Sequence, residues 1–431
     1  MPKKLLIVDV AALGYDLLRA CGATEIGGLT FRPTETVFPA VTCTVQASFR
    51  TGSAPAWNGM IANGLYARNL RKVMFWEQSC RLISGERIWR EFRKRGGKVG
   101  LLFWQQSMGE EADVLLSPAP VHKHHGGMIE DCYGRPEDLY DRLAGAVGGR
   151  FKLRHYWGPL ASWRAGDWIS QATIALLRDP ALAPDLCLTY LPTLDYDLQR
   201  FGPNDQRCGA SIAAATRQIT FLVHAAREQG FEVVVFGDYA IVPTPGGPVY
   251  PNRALLDAGL LKTRSVKDRL YPDFFTSRAF AMVDHEVAHV YVHDPADVEP
   301  TRQVLSQLPG VGEVMVRQAQ TKANLDHPNV GELVLIAADG MWFAYPWWSA
   351  RDEAPEYASH VDIHNKPGYD PCELLSGWPP LISVSQDATK IRGSHGRAGK
   401  DRPVAWASTL DLGEISSILD LAAKVKAWLE K

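Results

Sequence analysis

Over the first 240 or so residues, short apolar runs repeatedly end in an aspartate. Leu5–Val8 stops at Asp9, Leu186–Leu191 passes through Pro192 to Asp195, and Val233–Phe236 passes through Gly237 to Asp238. Runs this short, rich in β-branched residues and closed by turn signals, predict fully buried strands. Between them lie helical patterns at Gly209–Gly230 and Gly85–Gly96, each ending on a glycine suited to a left-handed cap. The second leads into a further predicted strand, Val99–Phe103. This alternation predicts an α/β fold: a doubly wound central sheet with helices on both faces. Ligands collect at the C-terminal strand ends of such sheets, so the topology can bring Asp9, Asp195 and Asp238 into one crevice. Each would serve equally well as the cap of the helix that follows it.

The pattern changes after the Pro/Gly-rich stretch Pro243–Pro251. Ala279–Val292, Pro295–Leu308 and Val311–Val316 read as strand, helix and strand. They imply a small α+β insertion over residues 245–344, set into a catalytic core of residues 1–244 and 345–431. The aromatic segment Trp342–Trp348 reads as a return to the core rather than a platform for a nucleobase.

Composition narrows the function classes. With 431 residues, 46% of them hydrophobic, the chain can bury a large core. A formal net charge of −2 gives no basic field to track a nucleic-acid backbone, so no nucleic-acid polymer is expected as a partner. The seven cysteines are odd in number and never spaced as CxxC, which argues against a disulfide framework and a structural zinc site. The N-terminal apolar run is cut by Asp9 and is too short for a signal peptide, and no stretch reaches the length of a membrane span. A cytoplasmic protein without a membrane partner is the expectation. The oligomeric state is left open.

One segment carries the chemistry. After Phe38-Pro39 come Thr42 and Thr44, then Thr51-Gly52, Pro55, Gly59 and Asn63. This order resembles the nucleophile segment of the nucleotide pyrophosphatase/phosphodiesterase and phosphonoacetate hydrolase branch of the alkaline phosphatase superfamily. The resemblance implies an alkaline phosphatase-like fold, Thr42 as nucleophile with Thr44 as the alternative, and Asn63 as a phosphoryl contact. It extends to the metal ligands of that branch. Asp9 matches the aspartate after the first strand, Asp195 that of an Asp-x-x-x-His, Asp238 that of an Asp-His pair, and His395 the late histidine in Gly393-Ser-His-Gly396. One metal would take Asp9, Thr42 and Asp238, the other Asp195 and His395. A threonine hydroxyl is a weak nucleophile that needs such help to deprotonate.

Two positions depart from the pattern: Gln199 and Tyr239 stand where the branch has histidines. One or two metal ions are expected, zinc by resemblance. Fewer imidazoles and a Tyr239 ligand would favour a harder ion such as iron or manganese. His364 is a candidate replacement ligand, Asp362 a weaker one, and Lys366 a candidate contact for a substrate phosphate. His285-Glu-Val-Ala-His289 spells the zinc-protease motif, but that motif needs a helix, and its valine-rich surroundings read as a strand that turns Glu286 away from the histidines. His122, His124 and His125 read as an exposed loop. The expected function is therefore metal-dependent hydrolysis of a small phosphate ester, of the phosphodiesterase or pyrophosphatase type. The alternatives are a metal-binding pseudoenzyme on the same fold, or another superfamily reaction: phosphonate hydrolysis, phosphomonoester hydrolysis or phosphotransfer.

Overall fold

The computed structural model describes residues 3–124, 127–380 and 383–431. The apolar runs pair into one eight-stranded sheet. Its strands are β1 (Leu5–Val10), β2 (Arg32–Thr34), β3 (Val99–Leu102), β4 (Val114–Pro118), β5 (Cys132–Arg135), β6 (Leu186–Leu191), β7 (Glu232–Gly237) and, near the C-terminus, β12 (Val404–Ser408). Their order across the sheet is β5-β4-β3-β6-β1-β7-β12-β2. The inner pairs β4/β3, β3/β6, β6/β1 and β1/β7 are parallel, while the pairs β5/β4, β7/β12 and β12/β2 are antiparallel.

β1 shows why both faces are covered. Its side chains alternate. Leu6, Val8 and Val10 pack with Ile169 and Leu176 of helix α2 (Arg164–Arg178) and with Ile219 and Leu222 of α4 (Gly209–Glu228). Leu5 and Ile7 pack on the other side with Val45 and Phe49 of α1 (Thr42–Thr51) and Leu421 and Val425 of α6 (Ile418–Glu430). Asp9 continues the second register and so faces α1. The α/β fold expected from the sequence, a central sheet with helices on both faces, is the fold observed.

A second, four-stranded antiparallel sheet lies within residues 279–337. Its strands β8 (Ala279–Asp284), β9 (Val287–Val292), β10 (Val311–Met315) and β11 (Leu333–Ala337) are ordered β8-β9-β11-β10, with α5 (Val298–Ser306) joining β9 to β10. The single strand expected over Ala279–Val292 is in fact a hairpin. His285 and Glu286 form its two-residue turn, with His285 in the left-handed region at φ +64°. Histidine is one of the few residue types besides glycine that visit this region, so a valine-rich run can reverse there without a Gly or Pro signal. Trp342, Phe343, Tyr345 and Trp347 are buried, as the core reading anticipates. All seven cysteines are free thiols, and among the described residues no helix is long and apolar enough to cross a membrane.

Candidate active site

Four chain segments meet at the C-terminal ends of β1, β6 and β7. Asp9 is on β1, Asp195 opens α3 (Asp195–Phe201) just after β6, Asp238 follows β7, and Thr42 is the first residue of α1. The approach of Asp238 depends on Gly237, where a Cβ would lie 2.4 Å from the Leu13 carbonyl oxygen. The loop after β1 turns at Ala12, whose N–H donates to Asp238 Oδ1 at 3.1 Å.

α1 presents Thr42 and Gln46 one turn apart on the same face. Thr42 Oγ1 donates to Asp238 Oδ2 at 3.1 Å and stands 3.4 Å from the Tyr190 hydroxyl. Gln46 Nε2 donates to Asp9 Oδ2 at 2.7 Å, leaving Asp9 Oδ1 buried without a partner. Asp9 and Asp238 are both fully buried, and burial pushes both carboxyls well up; the negative charge of Asp9 adds to the effect on Asp238. Thr44 is fully buried with its hydroxyl unpartnered and has no carboxylate beside it.

The second half of the site is built differently from expectation. Tyr239 Oη donates to Asp195 Oδ1 at 2.9 Å, and Gln199 Nε2 donates to Asp195 Oδ2 at 2.7 Å. Burial pushes the Asp195 carboxyl up to about 6, against the lowering by those two donors. Burial and then the charges of Asp195 and Asp238 hold the Tyr239 phenol well above its ordinary range. As placed, the hydroxyl of Tyr239, expected from sequence as a metal ligand, makes its contact with the Asp195 carboxylate. Its ring stacks on His395, with centroids 3.5 Å apart and planes within 3°. His395 is anchored by its Nδ1, which donates to the Ala40 carbonyl at 2.8 Å.

The hairpin turn of the second sheet reaches this stack. The His285 ring lies 3.7 Å from that of His395 and 3.8 Å from that of Tyr369, whose hydroxyl bonds Gln199. Glu286 does not face a zinc site. It accepts from Arg402 Nη1 at 2.7 and 2.5 Å and from the Arg397 N–H, while its own N–H donates to the His395 carbonyl. This latch on the core and the hairpin geometry remove the metalloprotease reading; His289 sits in β9 with Nε2 on the Ile61 carbonyl.

Asn63 joins the hairpin to the start of α1. Its Oδ1 accepts the Cys43 N–H, and its backbone and side-chain nitrogens donate to Asp284 at 2.7 and 3.2 Å. Two expected residues are not brought into the cluster. His364 is exposed, with Nδ1 on the Phe75 carbonyl and its ring near His122. Lys366, expected at a substrate phosphate, is buried and committed to Asp370 and Glu373 at 2.8 and 2.7 Å. Its neighbour Asp362 bonds Asn365. His122 and His124 are exposed, and His125 lies outside the described residues. Lys366→Met should therefore cost about 3 kcal/mol of stability, because it strands two buried carboxylates. Urea unfolding checks this, and an unchanged midpoint would return Lys366 to the pool of free cations.

The profile of the Type I phosphodiesterase / nucleotide pyrophosphatase family matches residues 26–370. The chain belongs to this family. The matched span contains Thr42, Asn63, Asp195 and Asp238, whereas Asp9 and His395 lie outside it. Among solved structures, phosphonoacetate hydrolase from Sinorhizobium meliloti 1021 in complex with phosphonoacetate superposes with a TM-score of 0.62 at 15% identity, over 100% of this chain and 96% of that one. Human ectonucleotide pyrophosphatase/phosphodiesterase 5 gives 0.61 at 12% identity, over 99% and 95%. An inactive threonine-to-alanine variant of the murine protein in complex with AMP gives 0.57 at 12%, over the same shares. At these identities the superpositions establish the shared fold alone. A search of curated protein sequences gave no match.

Tyr190 and Gln46 touch Thr42 and Asp9 and were not singled out from the sequence. Gln46 carried a signal, since it stands one helical turn beyond Thr42 on the same face. Tyr190 is hidden inside an apolar run.

Proposed function

We propose that this family member hydrolyses a small phosphodiester or pyrophosphate in a metal-dependent reaction, with Thr42 as nucleophile. The observation that carries the reading is the Thr42 hydroxyl, 3.1 Å from Asp238 at the start of α1, beside the buried carboxylates of Asp9 and Asp195. Among the described residues no lysine or arginine pairs with Asp9, Asp195 or Asp238. Buried carboxylates without a counter-charge are costly. They and the orphaned Asp9 Oδ1 therefore fit a bound cation. No three His, Cys, Asp or Glu side chains among the described residues form a ready-made metal cluster, so the fit rests on Asp9, Asp238 and the Thr42 oxygen. A divalent ion held there supplies positive charge against that oxygen and favours its ionised form.

The chain's own groups account for the rest. Asp238 Oδ2 is placed to receive the Thr42 proton. The Oγ–phosphorus bond forms as the bond to the leaving oxygen breaks, giving a phosphothreonine ester that water then cleaves. The second amide hydrogen of Asn63 and the free N–H groups of the first turn of α1 are donors for the equatorial oxygens. The inactive threonine variant of the murine relative supports the assignment.

The test is to quench turnover of an aryl phosphodiester in acid and map the modified peptide by mass spectrometry. A phosphoryl ester on Thr42 is the expected result. A label on another residue, or none under turnover, overturns the nucleophile. The bonding of Asp195 to Tyr239 and Gln199 favours a second reading, a non-catalytic binder on the same fold; binding without any turnover would establish it.

A further inference from the structure

The pocket holds two imidazoles, and only one of them occupies a position that the sequence pattern assigns. His285 comes from the turn of the β8–β9 hairpin, is 2% exposed and has a buried Nε2 with no partner. Its Nδ1 is 2.7 Å from Asp284 Oδ1, and Asp284 is itself held by the backbone and side-chain nitrogens of Asn63. His395 repeats the arrangement, with Nδ1 on the Ala40 carbonyl. In each ring the Nδ1 proton is committed to an oxygen, which leaves the lone pair on Nε2. An imidazole fixed in this way by a carboxylate or a carbonyl is the usual state of a metal-ligating histidine.

We propose that His285 and His395 together ligate a borderline transition-metal ion such as zinc or cobalt(II), with His285 supplying the imidazole that Gln199 lacks. The proposal rests on the reading of this pocket as a metal-dependent phosphohydrolase site. Three features besides the orphaned nitrogen support it. The two rings are in contact, at 3.7 Å. The hairpin tip is fixed rather than loose, since Glu286 is bonded to Arg402 and the Glu286 N–H to the His395 carbonyl. His285 also adopts a left-handed conformation at φ +64°, which brings its side chain to the stack at a local energetic cost. Two imidazoles select zinc or cobalt over magnesium, which reverses the shift towards hard ions implied by Gln199 and Tyr239 alone.

The experiment uses the full chain stripped with a chelator and titrated with cobalt(II), followed by visible absorption and elemental analysis. The variant is His285→Asn, because asparagine tolerates the left-handed turn and can still bond Asp284; His364→Gln is the exposed-histidine control. Wild type and His364→Gln should bind cobalt(II) alike. His285→Asn should bind at least about 10-fold more weakly, with an altered ligand-field band. X-ray absorption on the cobalt-loaded wild type, which needs no variant to fold, should show two histidine scatterers. An unchanged affinity and spectrum in His285→Asn, or fewer than two histidine scatterers, overturns the His285 assignment and leaves the Thr42 reading standing. Wild-type protein that takes up no cobalt(II) overturns both the assignment and the metal dependence beneath it.

Discussion

Thr42→Ala should lower kcat/KM for an aryl phosphodiester by about three orders of magnitude or more, the usual scale for loss of a covalent nucleophile. The fold should survive. Thr42 is the first residue of α1, the preceding Val41 is already extended, and the helix is held by Val45 and Phe49 against the sheet. The change removes one hydroxyl donor to Asp238, which keeps the Ala12 and Tyr239 N–H bonds on its other oxygen. The apparent melting temperature should therefore move little while turnover collapses. Thr44→Ala provides the internal comparison, since that buried hydroxyl makes no hydrogen bond. A Thr42→Ala variant retaining more than about a tenth of the activity would move the nucleophile elsewhere.

What the sequence made legible follows from which interactions are local. Strands β1, β6 and β7 could be read because a buried parallel strand must be apolar on both faces, and a run ending in Asp is then conspicuous. Asp9, Asp195 and Asp238 converge because the topology places their strands side by side, a consequence of β6-β1-β7 adjacency that doubly wound folds share. Thr42 was singled out by the resemblance, and it does stand at a helix start after a proline-containing turn, a feature local in sequence.

The rest of the site depends on contacts between distant segments. Tyr239 could be seen to replace a histidine, but nothing local shows that its hydroxyl would turn to Asp195 and its ring onto His395. His364 and Lys366 looked suitable by type and position. Yet Lys366 has carboxylates four and seven residues ahead, Asp370 and Glu373, and burial commits it to both. The hairpin at His285–Glu286 was unreadable because the turn contains neither Gly nor Pro. Its strongest anchor, Arg402, lies far along the chain. The zinc-protease spelling thus falls on a hairpin turn: Glu286 latches it to Arg402 and the His285 ring meets that of His395.

The charge balance of the pocket gives an expectation with opposite signs in two assays. Asp9→Asn should reduce activity by about two orders of magnitude or more, since it removes one of the two carboxylates that fit the cation beside Thr42. In metal-stripped protein at neutral pH the same change should raise stability, by about 1–2 kcal/mol, because it removes a buried carboxyl that must take up a proton on folding. Gln46 Nε2 can still donate to the new amide oxygen, so the bond now made to Asp9 is preserved. The sign with pH follows from the raised carboxyl. Burial favours the protonated form in the folded state, so the folded chain binds more protons than the unfolded one above the ordinary carboxylate range. Metal-stripped wild type therefore loses stability as pH rises through that window, and the Asp9→Asn variant loses less. The gap between their unfolding midpoints should widen from acid to neutral pH, and saturating metal should reverse it in favour of wild type, since an ion that binds only the folded state adds its binding free energy to stability. If Asp9→Asn instead destabilises the metal-stripped chain at neutral pH, the carboxylate pair is satisfied by the protein alone and no cation is needed to balance it.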